Sequence, residues 1–181
     1  DDNKAIREKL KKTFNSKFFF NPYKSNLHDF KCIYVSPGIS LRQSKFQLIK
    51  SSPKLNRDVN LYLSKIKKEK IIAITGTNGK STTTKLIGNI LKKTNNKTFV
   101  GGNIGEPLCN AFISQNKYKY HVVELSSFQL ETVKNIPSNI SVITNLDSDH
   151  LDRYKDINDY IQQKKNIITN HGINLFSIDD K

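Results

Sequence analysis

The sequence predicts an α/β protein with a mainly parallel sheet flanked by helices. Three observations carry this expectation. Short apolar, β-prone runs at 71–75, 121–125 and 140–144 alternate with stretches of helical periodicity. Each run ends in a polar cluster, and in open parallel sheets ligands sit beyond the carboxyl ends of the strands. The first run also feeds Gly76-Thr77-Asn78-Gly79-Lys80-Ser81-Thr82, a glycine turn followed by a lysine and by hydroxyls that open a helix.

The elements follow in order. Ala5 to Lys12 reads as a short charged helix, and Lys31 to Val35 as a short strand closed by the turn signal Ser36-Pro37-Gly38. A helix over Leu41 to Ser51 is broken by Pro53, and Arg57 to Leu63 forms the last structure of this segment. Lys65 to Lys70 is a charged connector, which places a boundary near 67–70 and divides the chain into domains 1–68 and 69–181. Beyond the strand Ile71–Thr75, Ser81 to Lys93 is a helix with Leu86, Ile87, Ile90 and Leu91 on one face. Thr98 to Val100 is a short strand, Gly101 to Gly105 a tight loop, and Pro107 to Ser114 a helix. The strands His121–Leu125 and Ile140–Thr144, a helix over Asp156–Thr169 and a closing strand Ile173–Ile178 complete the pattern.

Composition limits the function classes. Hydrophobic residues make up 36% of the 181, enough for a core, and no apolar run approaches the ~20 residues of a membrane span, so membrane insertion is not expected. The chain carries a net charge of +14, concentrated in residues 1–68, which hold 16 of the 30 Lys and Arg but only 5 of the 16 Asp and Glu. Such a segment could attract nucleic acid, an anionic surface or a phosphorylated small molecule. The bases are almost all lysine, with no aromatic interleaving and no zinc-ligand spacing, so a solvated surface is expected and a nucleic-acid partner is not. Cys32 and Cys109 lie far apart and read as reduced core thiols of a cytoplasmic protein.

The glycine turn suits phosphate. Glycines let backbone N–H groups converge on an anion, the helix N-terminus adds partial positive charge, Lys80 supplies a full one, and the Ser81 hydroxyl can reach Mg²⁺. The general spacing G-x-x-x-x-G-K-[ST] requires glycine at position 74, where Ile74 stands, so this is a variant P-loop. Glu124 closes an apolar strand and is either an ordinary strand-end carboxylate or a Mg²⁺ ligand or general base facing the phosphates. His150 follows the third strand among Asp147, Asp149 and Asp152, unlike His28, His121 and His171, which read as structural. Lys164 falls near the centre of the stripe Ile157, Tyr160, Ile161, Ile167 and Ile168. Periodicity leaves two readings for it: a snorkelling stem or a buried amine directed into a site.

These motifs together resemble the Mur ligase family. Gly76-Thr77-Asn78-Gly79-Lys80-Ser81-Thr82 is followed by Gly101-Gly102-Asn103-Ile104-Gly105, Glu124-Leu125-Ser126-Ser127-Phe128-Gln129-Leu130-Glu131 and Asp149-His150-Leu151-Asp152-Arg153-Tyr154, in the family's order and spacing. The Glu124–Glu131 run, with Ser36-Pro37-Gly38-Ile39 upstream, resembles the D-glutamate-adding branch. The resemblance covers about residues 30–181.

The resemblance implies part of a Rossmann-like, UDP-substrate-binding domain over 1–68. It implies the first part of a central P-loop ATP-binding domain over 69–181, with the family's third domain absent. It implies ATP-driven formation of an amide between UDP-N-acetylmuramoyl-L-alanine and D-glutamate through an acyl phosphate, in a monomeric protein, and implies that these 181 residues alone are inactive. Carried over by motif, Lys80 stabilises the transferring phosphoryl group, and Gly76, Thr77, Asn78, Gly79, Ser81 and Thr82 cradle ATP. Ser81 and Glu124 hold one Mg²⁺, and His150 helps to bind a second. Lys164 matches a lysine carbamylated by CO₂, whose anion balances the metals. Asn103, Ser126, Gln129 and His150 touch the muramoyl-alanine part, and Ser36, Pro37 and Gly38 lie near the UDP diphosphate. Two alternatives remain: another Mur-type or folylpolyglutamate-type ligase, and a basic P-loop module that binds nucleic acid.

Overall fold

The computed structural model describes residues 8–9, 12–13, 29–149 and 152–177. The helix expected over Ala5–Lys12 lies largely outside them, and His28 and His150 lie wholly outside them. The chain divides into two compact units, one formed by residues up to 33 with 41–55, the other by 34–40 with residues from 56 onward.

In the first unit the helix expected over Leu41–Ser51 is shorter. A 3-10 turn at Ser44–Phe46 leads into a single turn, α1 (Gln47–Lys50), and among the described residues of this unit Leu41 and Ile49 are buried. Strand β1 (Ile33–Tyr34) pairs with β2 (Leu55–Asn56), both only two residues long.

The second unit holds a five-stranded sheet, β3 (Lys70–Thr75), β4 (Thr98–Gly102), β5 (Tyr120–Glu124), β6 (Ile140–Ile143) and β7 (Ile173–Phe176). Its order is β4-β5-β3-β6-β7, and every pairing is parallel. The helices are α2 (Asp58–Lys65), α3 (Lys80–Lys93), α4 (Asn110–Ile113), α5 (Ser127–Leu130) and α6 (Ile157–Lys165). The α/β architecture is thus the expected one, and α2 packs in this unit with the sheet.

The central strand β3 explains its own composition. Side chains alternate across a sheet. Ile71 and Ala73 face one core with Val123, Leu125 and Ile143, against Val59 and Tyr62 of α2. Ile72 and Ile74 face the other with Val122, against Ile87 and Leu91 of α3. A strand covered on both faces needs a continuous apolar run, and Ile71-Ile72-Ala73-Ile74 supplies it.

Three expectations change. Gly101 and Gly102 continue β4, in register with Val123 and Glu124, instead of opening a loop. On α3 the packed face is Thr84, Ile87, Gly88 and Leu91, whereas Leu86 and Ile90 are exposed. The small residues let the helix approach β4, where a Cβ on Gly88 would meet Val100 Cγ2 at 2.5 Å. Cys32 is exposed and Cys109 half-buried, so although both are free, neither is a core thiol.

Candidate active site

The carboxyl ends of β3, β5 and β6 lie side by side, because Ile74 pairs with Glu124 and Thr75 with Ile143. The P-loop leaves β3 at Gly76 and enters α3 through Gly79. Gly76 has φ +147°, and a Cβ there would lie 1.9 Å from Thr144 Oγ1 and 3.1 Å from the Thr144 amide nitrogen. Only glycine allows the loop to run this close to the end of β6. Gly79 is the N-cap of α3 with φ +78°, again a left-handed conformation.

The turn is braced from β6. The Thr77 and Asn78 N–H groups donate to Asn145 Oδ1 at 3.1 and 2.8 Å, and Thr144 Oγ1 donates to the Asn78 carbonyl at 2.6 Å. Thr77 Oγ1 donates to the Asp147 carbonyl and accepts from the Asp147 N–H. Thr144 and Asn145 were not read from the sequence as site residues. The available signal was their place at the carboxyl end of a strand beside the P-loop strand.

Lys80, the first residue of α3, folds back and donates to the Thr77 carbonyl at 2.7 Å. Ser81 Oγ donates to Glu124 Oε2 at 2.8 Å. Asn103 Nδ2 donates to Glu124 Oε1 at 2.9 Å, and the Asn103 N–H donates to the Glu124 carbonyl at 2.9 Å. Glu124 is 1% exposed, so both carboxylate oxygens are held in one orientation by neutral donors. Thr82 lies exposed in the first turn of α3.

Lys164 is 2% exposed, which excludes the snorkelling reading. Its Nζ donates to the Gly76 carbonyl at 2.5 Å and stands 4.5 Å from the centre of the Tyr160 ring. Burial, reinforced by the Lys80 charge and opposed by Asp149 and Glu124, pulls its pKa down to about 7. Tyr160 bonds the same loop through the Thr77 hydroxyl at 3.3 Å. The apolar stripe of α6 therefore delivers an amine, partly neutral near pH 7, to the underside of the P-loop.

Helix α5 was not foreseen. Ser126 and Gln129 form a capping box around its first turn: Ser126 Oγ accepts from the Gln129 N–H, and Gln129 Oε1 accepts from the Ser126 N–H. Gln129 is buried, and its Nε2 donates to Asp58 Oδ2 at 2.8 Å. The turn Ser36-Pro37-Gly38 is gripped through its carbonyls by Arg57 and Arg153. Hydrogen bonds thus join Gly76–Ser81, Asn103, Glu124 and Lys164. Ser126 and Gln129 form a second group with Asp58, and the 36–38 turn a third.

The donor set suits a hard cation only in part. Ser81 Oγ and the Glu124 carboxylate are oxygen donors of the kind Mg²⁺ takes. Among the described residues no group of three His, Cys, Asp or Glu side chains could hold a metal alone. Phosphate oxygens and water would therefore have to complete the shell.

Comparison with known proteins agrees with this geometry. The Mur ligase middle domain matches residues 74–181. A UDP-N-acetylmuramoylalanine–D-glutamate ligase of Rickettsia prowazekii is 41% identical over 171 residues, spanning 92% of this chain and 37% of that protein. The protein of the same name from Clostridioides difficile is 34% identical over 181 residues, spanning 98% of this chain and 40% of that protein. The chain thus spans less than half the length of these relatives. Among solved structures, MurF from Acinetobacter baumannii superposes with a TM-score of 0.51 at 21% identity, covering 66% of this chain and 29% of that one, which supports the fold alone. With a P-loop braced from β6, a buried carboxylate facing it and the family match over most of the chain, this chain belongs to the Mur ligase family.

Proposed function

We propose that the protein is an ATP-dependent ligase that adds D-glutamate to UDP-N-acetylmuramoyl-L-alanine, a step of peptidoglycan synthesis. The observation that carries this reading is Glu124, buried at the end of β5 and held by Ser81 and Asn103 beside the P-loop. The D-glutamate choice rests on the relatives' names and on the Glu124–Glu131 sequence.

The muramoyl-alanine carboxylate attacks the γ-phosphate, and ADP leaves with the electron pair of the broken P–O bond. The amine of D-glutamate then attacks the acyl phosphate, forming the C–N bond and releasing phosphate and a proton. Gly76, Thr77, Asn78, Gly79, Ser81 and Thr82 cradle the ATP phosphates at the start of α3. Lys80 exchanges its bond to the Thr77 carbonyl for the transferring phosphoryl group. Ser81 and Glu124 would hold Mg²⁺, and His150 and Lys164 would contribute to a second ion. Magnesium, when bound, neutralises charge on the phosphate oxygens. The neutral fraction of Lys164 reacts with CO₂, forming the N–C bond of a carbamate and releasing one proton, so that an anion stands where the buried amine was. Asn103, Ser126, Gln129 and His150 shape the muramoyl-alanine subsite, and Ser36, Pro37 and Gly38 meet the diphosphate. The protein acts as a monomer in the cytoplasm.

The test is phosphate release by the full-length protein. ATP, UDP-N-acetylmuramoyl-L-alanine and D-glutamate together are expected to give release that no other amino acid supports. Release that is independent of D-glutamate refutes the assignment.

A further inference from the structure

Three neighbouring strands of the sheet start side by side on lysine. The Lys119 N–H donates to the Lys97 carbonyl at 2.8 Å, and the Lys70 N–H to the Lys119 carbonyl at 3.0 Å, which sets the starts of β4, β5 and β3 in a row. Lys67 and Lys68 lead into β3, and Lys117 leads into β5. Helix α3 leaves the carboxyl end of β3 and returns to this rim, where Lys92 and Lys93 close its last turn. All eight lysines are exposed, and among the described residues none has an ion-pair partner. Lys119 Nζ does lie 5.2 Å from the centre of the Tyr120 ring.

The acids of this unit are distributed the other way. No Asp or Glu occurs from Lys70 to Gly105. Glu69 sits in the rim and accepts from the N–H groups of Lys67 and Lys68. Glu106 shares the wall of a cavity of about 320 Å³ with Lys92, Lys97 and Lys117. The other described carboxylates gather toward the opposite end: Glu124 and the aspartates at 147, 149, 152, 156 and 159 follow β5 and β6, while Asp58 and Glu131 sit beside α5. Lysines in the last turn of a helix complement its dipole, which accounts for Lys92 and Lys93. It does not account for the lysines of the strand starts and loops.

Apolar surface adjoins this rim. Leu86 and Ile90, one turn apart on α3, are each more than half exposed and share a shallow surface depression with Lys92 and Lys93. The sheet does not use them, since α3 packs through Thr84, Ile87, Gly88 and Leu91. Lysines around aliphatic side chains match an anionic bilayer, whose headgroups meet the ammonium groups while its acyl boundary takes up the aliphatic ones. A nucleic acid would leave Leu86 and Ile90 without a partner.

We propose that this rim, with the outer face of the last turns of α3, is a docking surface for an anionic lipid bilayer. The contact is peripheral and reversible, made by charge and two aliphatic side chains without insertion. The six residues of β3 separate Lys70 from the P-loop by about 17 Å, so the docked protein keeps its phosphate-binding end open to solution.

The test is co-sedimentation of the full-length protein with vesicles. Phosphatidylcholine vesicles containing about 30% phosphatidylglycerol are expected to carry the protein down at about 0.1 M salt and to release it at about 0.5 M, whereas phosphatidylcholine alone carries down little. Each lysine near such a surface contributes roughly a fivefold change in partitioning, so Lys97→Gln is expected to lower it about fivefold and Lys97→Gln with Lys119→Gln about 25-fold. Leu86→Ser with Ile90→Ser lowers it at unchanged charge. Lys155→Gln, at the start of α6 on the opposite end, leaves it within about twofold. Urea midpoints at the wild-type value show that the variants are folded; if Lys97→Gln is not, Lys117→Gln decides. Failure to bind anionic vesicles, equal binding to phosphatidylcholine alone, or equal losses in Lys97→Gln and Lys155→Gln overturns the proposal. Sedimentation with poly(U) but not with vesicles assigns the rim to nucleic acid and also overturns it.

Discussion

Lys164 and Gly76 are 88 residues apart in sequence, yet the lysine amine donates to the glycine carbonyl at 2.5 Å beneath the P-loop. A buried ammonium so close to Lys80 is disfavoured, and its pKa falls to about 7, so much of the amine is neutral at neutral pH. Carbamylation requires that neutral amine. Intact mass of the full-length protein in bicarbonate is expected to show one added CO₂ that Lys164→Ala lacks. Activity of the variant is expected to fall by about 10² or more and to recover partly with a short-chain carboxylate supplied in solution. Normal activity of Lys164→Ala without rescue eliminates this role.

Packing of α3 on β4 gives a prediction with a sign opposite to helix propensity. Gly88→Ala in a helix interior would ordinarily stabilise by about 1 kcal/mol. Here the new Cβ meets Val100 Cγ2 at 2.5 Å and Cγ1 at 3.2 Å. Overpacking of this kind costs about 1–3 kcal/mol, so the net effect is a loss. Val100→Ala in the same protein opens the space, and the double variant is expected to be more stable than Gly88→Ala alone in urea unfolding. Additive losses in that cycle contradict the contact.

Burial of His121 sets a pH dependence. Its Nδ1 is 2.9 Å from the Tyr62 hydroxyl, and Phe99 and Tyr118 surround the ring. Burial lowers its pKa, against a smaller opposing pull from Glu69. The unfolded chain therefore takes up the proton first. Stability is fully present above the ordinary histidine value of 6.5 and is lost as pH falls below it. The urea midpoint of the wild type is expected to drop between about pH 7 and 5 more steeply than that of His121→Gln. Equal slopes would show that the imidazole does not contribute.

What the sequence revealed depended on how local each signal is. The P-loop, the strand ending at Glu124 and the stripe that buries Lys164 are all written in runs of a few residues. The periods 2 and 3.6 therefore report them directly. Helix α5 has only four residues, too short for a period to emerge. Its one sign was the Ser126–Gln129 spacing of a capping box. Apolarity alone groups Leu86 and Ile90 with Ile87 and Leu91, yet both are exposed. Close approach to β4 instead selected the small residues Thr84 and Gly88. The Arg57–Glu131 pair joins residues 74 apart, and no local pattern announces such a partner.

Asn145 concentrates the bracing of the P-loop in one side chain. Its Oδ1 accepts from two successive N–H groups, Thr77 and Asn78, and its own carbonyl accepts from Thr77 again at 3.0 Å. Asn145→Ala removes the side-chain acceptor from both N–H groups but keeps the backbone bond. Each neutral hydrogen bond contributes about 1 kcal/mol, so the loop loses order without unfolding. ATP affinity of the full-length protein is expected to fall about tenfold or slightly more, with UDP affinity unchanged, because the 36–40 turn is held by Arg57 and Arg153 instead. Asn145→Asp keeps an acceptor and the bonds, but it sets a negative charge beside the phosphates. It is expected to weaken ATP at low salt and to approach wild type as salt screens that charge. Wild-type ATP binding by Asn145→Ala would mean that the backbone bond and Thr144 alone shape the loop.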